Sequence, residues 1–357
     1  MKEKILILNP GSTSTKIAMY RRTEKLWQEN IEHDPELIKN YPTIYAQLDM
    51  RLKTILESVQ GHGDALEELG CVMSRGGLLP PLPSGAYEVN PEMLDVLEHR
   101  PVNHHASNLG AAIAYWIAQP LGIKAYIYDP VTVDEMIDLV RITGLKEVKR
   151  HGQGHNLNMR AAALRYCREH EKNYASQSLI VAHLGGGITL SLHHHGRIID
   201  MISDDEGAFS SERCGLVPAF RLAKIACSEG MTYEKLMKKL QRGSGLTALI
   251  GEPDARKVEA RIAEEDAEAK LAYEAMALSV CRSIASLSVV VCGKVDQIIL
   301  TGGVAYSEMF TSMIRQRTSF IAPITVIPGE NEMQALAEGA WRVLTGEETA
   351  AYYVEEK

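Results

Sequence analysis

Two small-residue turns, each following an apolar strand, hold the side chains with the clearest chemistry. In the first, Ile5–Leu8 runs into Asn9-Pro10-Gly11-Ser12-Thr13-Ser14-Thr15-Lys16. If that turn is tight, its backbone N–H groups, the hydroxyls of Ser12, Ser14 and Thr15, and the Lys16 ammonium face one way and can hold a polyphosphate. The helix-borne Gly-Lys-Ser/Thr phosphate loop is absent. In the second, Ile180-Val181-Ala182-His183 leads to Gly185-Gly186-Gly187. Successive glycines weaken a sheet unless something must approach the backbone closely, and phosphate is the expected guest. Either turn alone would pass for an ordinary hairpin; finding the device twice points to phosphate. A third pair, Gly302-Gly303, ends another apolar run where a base or sugar can pack.

Two arginines sit in glycine-flanked loops, Arg75 in Met73–Gly77 and Arg213 in Ser211–Gly215. Converging on a cleft, they would clamp carboxylate or phosphoryl oxygens through paired N–H donors. Phosphoryl transfer asks for that: positioning and compensation of negative charge more than covalent chemistry. Histidines occur at His104-His105, His151-x-x-x-His155 and His193-His194-His195. No Glu-containing zinc motif accompanies them, and the triple histidine is expected to be exposed at a strand–turn junction. Magnesium asks for less, and Asp129 at a strand end or Glu332 before a helix could supply its carboxylate. Asp204, Asp205 and Glu206 are expected to be solvated loop carboxylates or helix caps.

The elements that must position these groups recur in order. Strands are predicted at Lys4–Asn9, Lys16–Tyr20 and Leu26–Ile31, a helix at Thr43–Val59, a strand at Gly70–Met73, a helix at Ser107–Ala118 and a strand at Lys124–Tyr128. The series repeats as strands at Ser178–His183, Thr189–His193 and Arg197–Met201, a long helix over Asp266–Val291, and a strand at Gln297–Leu300. A helix at Glu308–Arg315, a strand at Ile324–Ile327 and a final helix at Glu332–Leu344 complete the chain. Two related mixed α/β domains follow, 1–129 closed by 333–357, and 130–332. The 357 residues, net charge of -8 and pI near 5.9 exclude a general nucleic-acid grip. The apolar run after Lys2 and Lys4 is too short for a secretion signal, and Ser286–Cys292 reads as part of a buried helix rather than a membrane span. Six dispersed cysteines are expected as reduced thiols of a cytoplasmic protein, most of them small core residues and Cys214 an exception.

Together, Asn9–Lys16, Ser74–Gly77, His183–Gly187, Glu212–Gly215, Thr301–Gly303 and Pro328-Gly329-Glu330-Asn331-Glu332-Met333 resemble the acetate and butyrate kinases. These belong to the sugar kinase, heat-shock-70 and actin superfamily. The resemblance runs in motif order from Ile5 to Leu344, and the three glycines and the Pro328–Met333 segment look like the butyrate kinase branch. It implies duplicated ribonuclease-H-like (actin-like ATPase) domains with an interdomain active-site cleft. It also implies ATP/ADP, Mg2+, and direct in-line transfer of the gamma-phosphoryl group to a short-chain carboxylate, giving an acyl phosphate. Carried over residue by residue, Arg75 and Arg213 hold the carboxylate and the migrating group, and His183 donates a hydrogen bond to it. Asp129 positions the reacting groups, and His151 is a further active-site histidine, with His104 a weaker match. Asn9 and Glu332 serve the metal; Asn9, Ser12, Ser14, Lys16, Gly185, Gly186 and Gly187 serve the phosphates; Gly302 and Gly303 serve the adenosine. Family members assemble as homodimers or higher multiples. Acceptors other than butanoate (acetate, propionate, branched-chain acids) remain alternatives, as does an actin- or heat-shock-70-like ATP switch. A carboxylate is already a nucleophile at neutral pH, so the lack of an evident general base agrees with an acid as acceptor.

Overall fold

A computed structural model describes residues 2–355. Its strands are β1 (Lys4–Pro10), β2 (Ser14–Arg21), β3 (Glu24–Glu32), β4 (Leu69–Arg75), β5 (Ala86–Glu88), β6 (Lys124–Tyr128), β7 (Ser178–Leu184), β8 (Ile188–His194), β9 (Arg197–Ile202), β10 (Gln297–Gly302), β11 (Ile324–Pro328) and β12 (Ala351–Tyr352). The chain divides into two units, one running to Asp134 and taking up the chain again from Asn331, the other Glu135–Glu330.

In the first unit the sheet order is β12-β5-β6-β4-β1-β2-β3. Strands β1, β2 and β3 are antiparallel neighbours, whereas β4 runs parallel to β1 and β6 parallel to β4. Strand β1 is buried from Ile5 onward because the sheet is covered on both faces, so it reads as a continuous apolar run. Helices Leu48–Gly61 and Leu109–Ala118 cover one face of the sheet, and the helix Glu332–Thr345 packs on β1 and β4. Strand β5 and the helix Pro91–His99 were not expected; Asn90 caps that helix by accepting from the Met93 N–H at 2.9 Å, with Pro91 at its first position.

The second unit repeats the pattern. Its sheet order is β11-β10-β7-β8-β9, so β9-β8-β7-β10-β11 matches β3-β2-β1-β4-β6 in pairing sense as well as in sequence. Here the helix Asn156–Glu169, which precedes β7, packs on β7 and β10, as the last helix of the chain does on β1 and β4. The long helix Ala267–Val290 is apolar enough and long enough to cross a membrane by composition alone. It instead buries Tyr273, Met276, Val280, Ile284 and Leu287 against the β7–β9 sheet as the core helix of this unit. Its start is fixed by Asp266, whose carboxylate accepts from the Glu268 and Ala269 N–H groups, both at 3.0 Å.

Several expectations are corrected. His193 is fully buried, not exposed: Tyr174 OH lies 2.7 Å from its Nδ1 and Ser191 Oγ 2.8 Å from its Nε2. Burial holds its pKa down at about 3, against an ordinary 6.5. Cys71, Cys167 and Cys281 are core residues, but Cys227 and Cys292 are exposed and Cys214 is half-buried. Residues 216–243 form the helices Ala219–Ala226 and Tyr233–Arg242, neither with a buried residue.

Candidate active site

Each unit gathers its expected residues at the carboxyl ends of its parallel strands, where open α/β sheets bind ligands. In the first unit Leu8 of β1 pairs with Ser74 of β4, and Arg75 pairs with Tyr128 of β6. Asn9, Arg75 and Asp129 therefore end three adjacent strands. Glu332, the first residue of the last helix, closes the group: its Oε1 lies 3.0 Å from Arg75 Nη1 and its Oε2 accepts from Asn9 Nδ2 at 2.8 Å. An anion arriving here competes with Glu332 for Arg75, and a divalent cation competes with Arg75 for Glu332. Asp129 is buried, accepts the Gly85 N–H at 2.7 Å, and has a left-handed backbone at φ 37°. A non-glycine residue in such a conformation stores on the order of 1–3 kcal/mol, which only an over-determined surrounding maintains. Gly76 is glycine because a Cβ there would lie 2.5 Å from the Pro130 side chain, so the residue after Arg75 lies tight against the one after Asp129.

The hairpin turn between β1 and β2 partly departs from expectation. Ser12 and Lys16 are exposed and Ser14 half-buried, but Thr15 is fully buried, with Oγ1 2.8 Å from His33 Nε2. Alternation along β2 sends residues 14 and 16 to one face and 15 to the other. His104 and His105 are both exposed, and the His105 pKa is lowered by desolvation and by the charges of Arg75 and Arg51.

In the second unit His183 ends β7 beside Thr301 of β10 and is 1 % exposed. Asn158 Nδ2 lies 2.9 Å from His183 Nδ1. An amide nitrogen only donates, so Nδ1 is the acceptor and the ring hydrogen sits on Nε2. That buried Nε2–H has no hydrogen-bond partner among the described residues; Glu330 Oε1 lies 3.2 Å away without alignment. Buried donors are nearly always satisfied, so this one stands out as available to a ligand oxygen. The ring stacked on His183, with centroids 3.8 Å apart and planes 9° apart, is His155, whose Nδ1 meets Thr189 Oγ1 at 3.0 Å. His151 is exposed on the preceding coil. The signal for His155 was its place at the cap of the helix Asn156–Glu169, with Asn158 three residues on, so that both reach the end of β7 from one helix start.

Gly185–Gly187 follow directly. A Cβ on Gly186 would meet nothing nearer than Glu212 Oε2 at 3.8 Å, so this backbone is open; one on Gly187 would lie 3.3 Å from Asp204 Oδ2. Ser210 joins this turn to the Arg213 loop by donating to the Gly186 carbonyl at 2.5 Å and accepting the Arg213 N–H at 3.1 Å. Arg213 is held by Asp204 (Nε to Oδ2, 2.9 Å) and by the Gln241 carbonyl. Asp204 and Glu206 are thus partly solvated carboxylates that are also ion-paired, and Asp205 is exposed: Glu206 and Asp200 receive Arg150 in the same way, fixing the loop that follows β9. A cavity of about 800 Å³ opens alongside, lined among others by Gly186, Glu212, Arg256, Gly303, Tyr306 and Glu330. Its size is that of a site for a nucleoside. Gly303 faces open space, whereas Gly302, at φ 91°, is glycine because any side chain would strike the Leu184 backbone.

Among the described residues no three His, Cys, Asp or Glu side chains form a metal cage. Magnesium does not need one, since it binds through one or two carboxylates with substrate phosphates and water. Glu332, with the Asn9 amide beside it, fits that mode.

A doubled three-stranded hairpin sheet extended by parallel strands, with glycine-rich turns, Arg75 at a strand end and Arg213 in the loop after β9, fits a phosphotransferase of the duplicated actin-like ATPase fold. The acetokinase family model matches residues 137–335. Butyrate kinase 2 of Clostridium acetobutylicum is 44% identical over 355 residues, covering 99% of this chain and 100% of that protein. The acetate kinase of Porphyromonas gingivalis superposes with a TM-score of 0.75 at 18% identity, over 95% of this chain and 99% of that one. A propionate kinase from Francisella tularensis gives 0.74 at 18% identity, over 94% and 98%. The chain belongs to the acetokinase family.

Proposed function

We propose that the protein is a carboxylate kinase that moves the gamma-phosphoryl group of ATP onto butanoate, forming butanoyl phosphate and ADP, and catalyses the reverse. The observations that support the proposal are the Asn9–Arg75–Glu332 group in one unit and, in the other, a buried His183 Nε2–H with no partner among the described residues, the open Gly186 backbone and Arg213. The full-length likeness to a butyrate kinase favours butanoate over acetate or propionate.

In this account the nucleoside occupies the cavity beside Gly303, and the phosphates lie along Gly185–Gly187 with Ser12, Ser14 and Lys16 contributing from the first hairpin. Arg75 takes the carboxylate once Glu332 releases it. Arg213 and the His183 Nε2–H take charge that grows on the equatorial oxygens of the moving group. Asp129 fixes the end of β6 beside Arg75, His155 stacks on the His183 ring, and His151 is taken as a further active-site histidine on the coil before the helix Asn156–Glu169. Magnesium, held by Glu332 with Asn9 nearby, would neutralise phosphate charge when bound. The acceptor carboxylate attacks phosphorus as its own nucleophile, so no side chain has to remove a proton. The setting proposed is cytoplasmic, with a small acid or acyl phosphate as substrate, neither nucleic acid nor membrane as partner, and a homodimer or higher homo-oligomer as the assembly.

The test is an acid series from two to six carbons, straight and branched, incubated with ATP and Mg2+, with the acyl phosphate trapped as hydroxamate. Highest kcat/KM on butanoate is expected. A maximum on acetate or a branched acid would move the substrate assignment, because one methylene is worth only about 0.8 kcal/mol and pocket shape decides. ATP hydrolysis without hydroxamate would remove the kinase assignment.

A further inference from the structure

Arg51, on the helix Leu48–Gly61, has no solvent exposure. A buried cation is costly unless a carboxylate or equivalent meets it, and among the described residues none does. Every acceptor is neutral. Nη1 donates to the Gly11 carbonyl at 2.9 Å, the Ser14 carbonyl at 3.3 Å and Thr15 Oγ1 at 3.0 Å. Nη2 donates to the Ser12 carbonyl at 3.0 Å and to Gln47 Oε1 at 3.0 Å, and Nε donates to the same Gln47 oxygen at 3.1 Å. The guanidinium thus gathers three carbonyls of the first hairpin turn from behind. Burial lowers its pKa to about 10, which leaves it charged at neutral pH.

Peptide planarity carries the consequence to the outer side. The N–H of each peptide points opposite to its C=O. With the Gly11 and Ser12 carbonyls drawn onto Arg51, the N–H groups of Ser12 and Thr13 point away from it, on exposed residues and with no acceptor among the described residues. Two adjacent outward N–H groups backed by an uncompensated cation make a receptor for an anion.

We infer that Arg51 is a positioning residue for phosphoryl transfer, a buried cation that fixes the Ser12 and Thr13 N–H groups toward phosphoryl oxygens and lacks a counter-charge until that anion binds. The inference rests on the carboxylate kinase proposed above. Arg51 touches no substrate; it acts through the turn.

Arg51→Gln removes the charge and keeps part of the polar grip, and Arg51→Lys keeps the charge with fewer, unbranched donors. Both are compared with the unaltered enzyme by circular dichroism, thermal midpoint with and without ATP, and kcat and KM for each substrate. With the fold retained, Arg51→Gln is expected to lose on the order of 10²-fold in kcat, the scale of a misplaced or missing preorganised donor. Its KM for butanoate should stay within about threefold, its stabilisation by ATP should vanish, and Arg51→Lys should recover at least about tenfold in kcat. A merely structural arginine would lower the thermal midpoint and leave the ATP-induced shift and the kcat of the folded fraction in place; that result, or a lysine variant no better than glutamine, overturns the inference. If Arg51→Gln does not fold, Arg51→Lys carries the test: kcat about tenfold down with unchanged butanoate KM supports it, and unaltered kcat overturns it. An unaltered enzyme that makes no acyl phosphate would count against the kinase assignment instead, and the ATP-induced shift still reports on Arg51.

Discussion

Asn158 determines what His183 can do. By giving its amide hydrogen to Nδ1, it leaves the ring hydrogen on Nε2, where nothing among the described residues accepts it. Asn158→Leu removes that instruction while leaving the imidazole, so kcat should fall on the order of 10²-fold, as when a preorganised donor is lost; a turnover within threefold of the unaltered enzyme would show that His183 needs no such partner. His193 tests a different property. Its folded pKa of about 3 lies below the 6.5 of an ordinary histidine, so the unfolded chain binds the extra proton first. Its contribution to stability is therefore complete above about pH 6.5 and is lost as pH falls toward 3. The destabilisation caused by His193→Gln should shrink by roughly 2 kcal/mol between about pH 7.5 and pH 5, read from denaturant unfolding at each pH; a pH-independent difference would contradict a neutral buried ring. At this scale residue type was legible and direction was not. Arg75, Arg213, His183 and Glu332 stand out by type and loop setting, but Thr15 turns inward by strand alternation, and Arg51 looks like any basic position on an amphipathic helix. His155 rather than His151 reaches His183, because only the former sits at a helix start aimed at the end of β7.

The two glycine turns do different work, which substitution separates. At Gly302 a methyl group would strike the Leu184 backbone and the φ of 91° would be strained, so Gly302→Ala should cost at least about 1–3 kcal/mol in unfolding free energy. At Gly186 the space is open. Gly186→Ala should melt within a degree or two of the unaltered enzyme yet raise the KM for ATP about tenfold or more, because a side chain now stands where phosphate approaches. Equal melting losses in both variants, or a normal ATP KM in the second, would show that both glycines serve packing alone. The repeated strand order came through from sequence because buried strands read as unbroken apolar runs. Strand β5, three residues long, gave no comparable signal, whereas the helix Tyr233–Arg242 had one in the spacing of Tyr233, Leu236, Met237 and Leu240.

Seen whole, the protein is a chain of net charge -8 with 38 lysines and arginines, two of which make the proposed clamp. Arg75 lies in one unit and Arg213 in the other, and a single phosphoryl transfer that uses both predicts non-additive kinetics. Each alanine substitution should lower kcat on the order of 10³-fold, and the double substitution should be little worse than either single one. A multiplicative loss with both folds intact would assign the two arginines to separate events. The most direct measurement for the account is hydroxamate trapping with ATP, Mg2+ and butanoate, counted against ADP released. One acyl hydroxamate per ADP in the unaltered enzyme, and neither product above background in Arg213→Ala, is predicted. ADP released without hydroxamate, or undiminished hydroxamate from the folded Arg213→Ala enzyme, would contradict it.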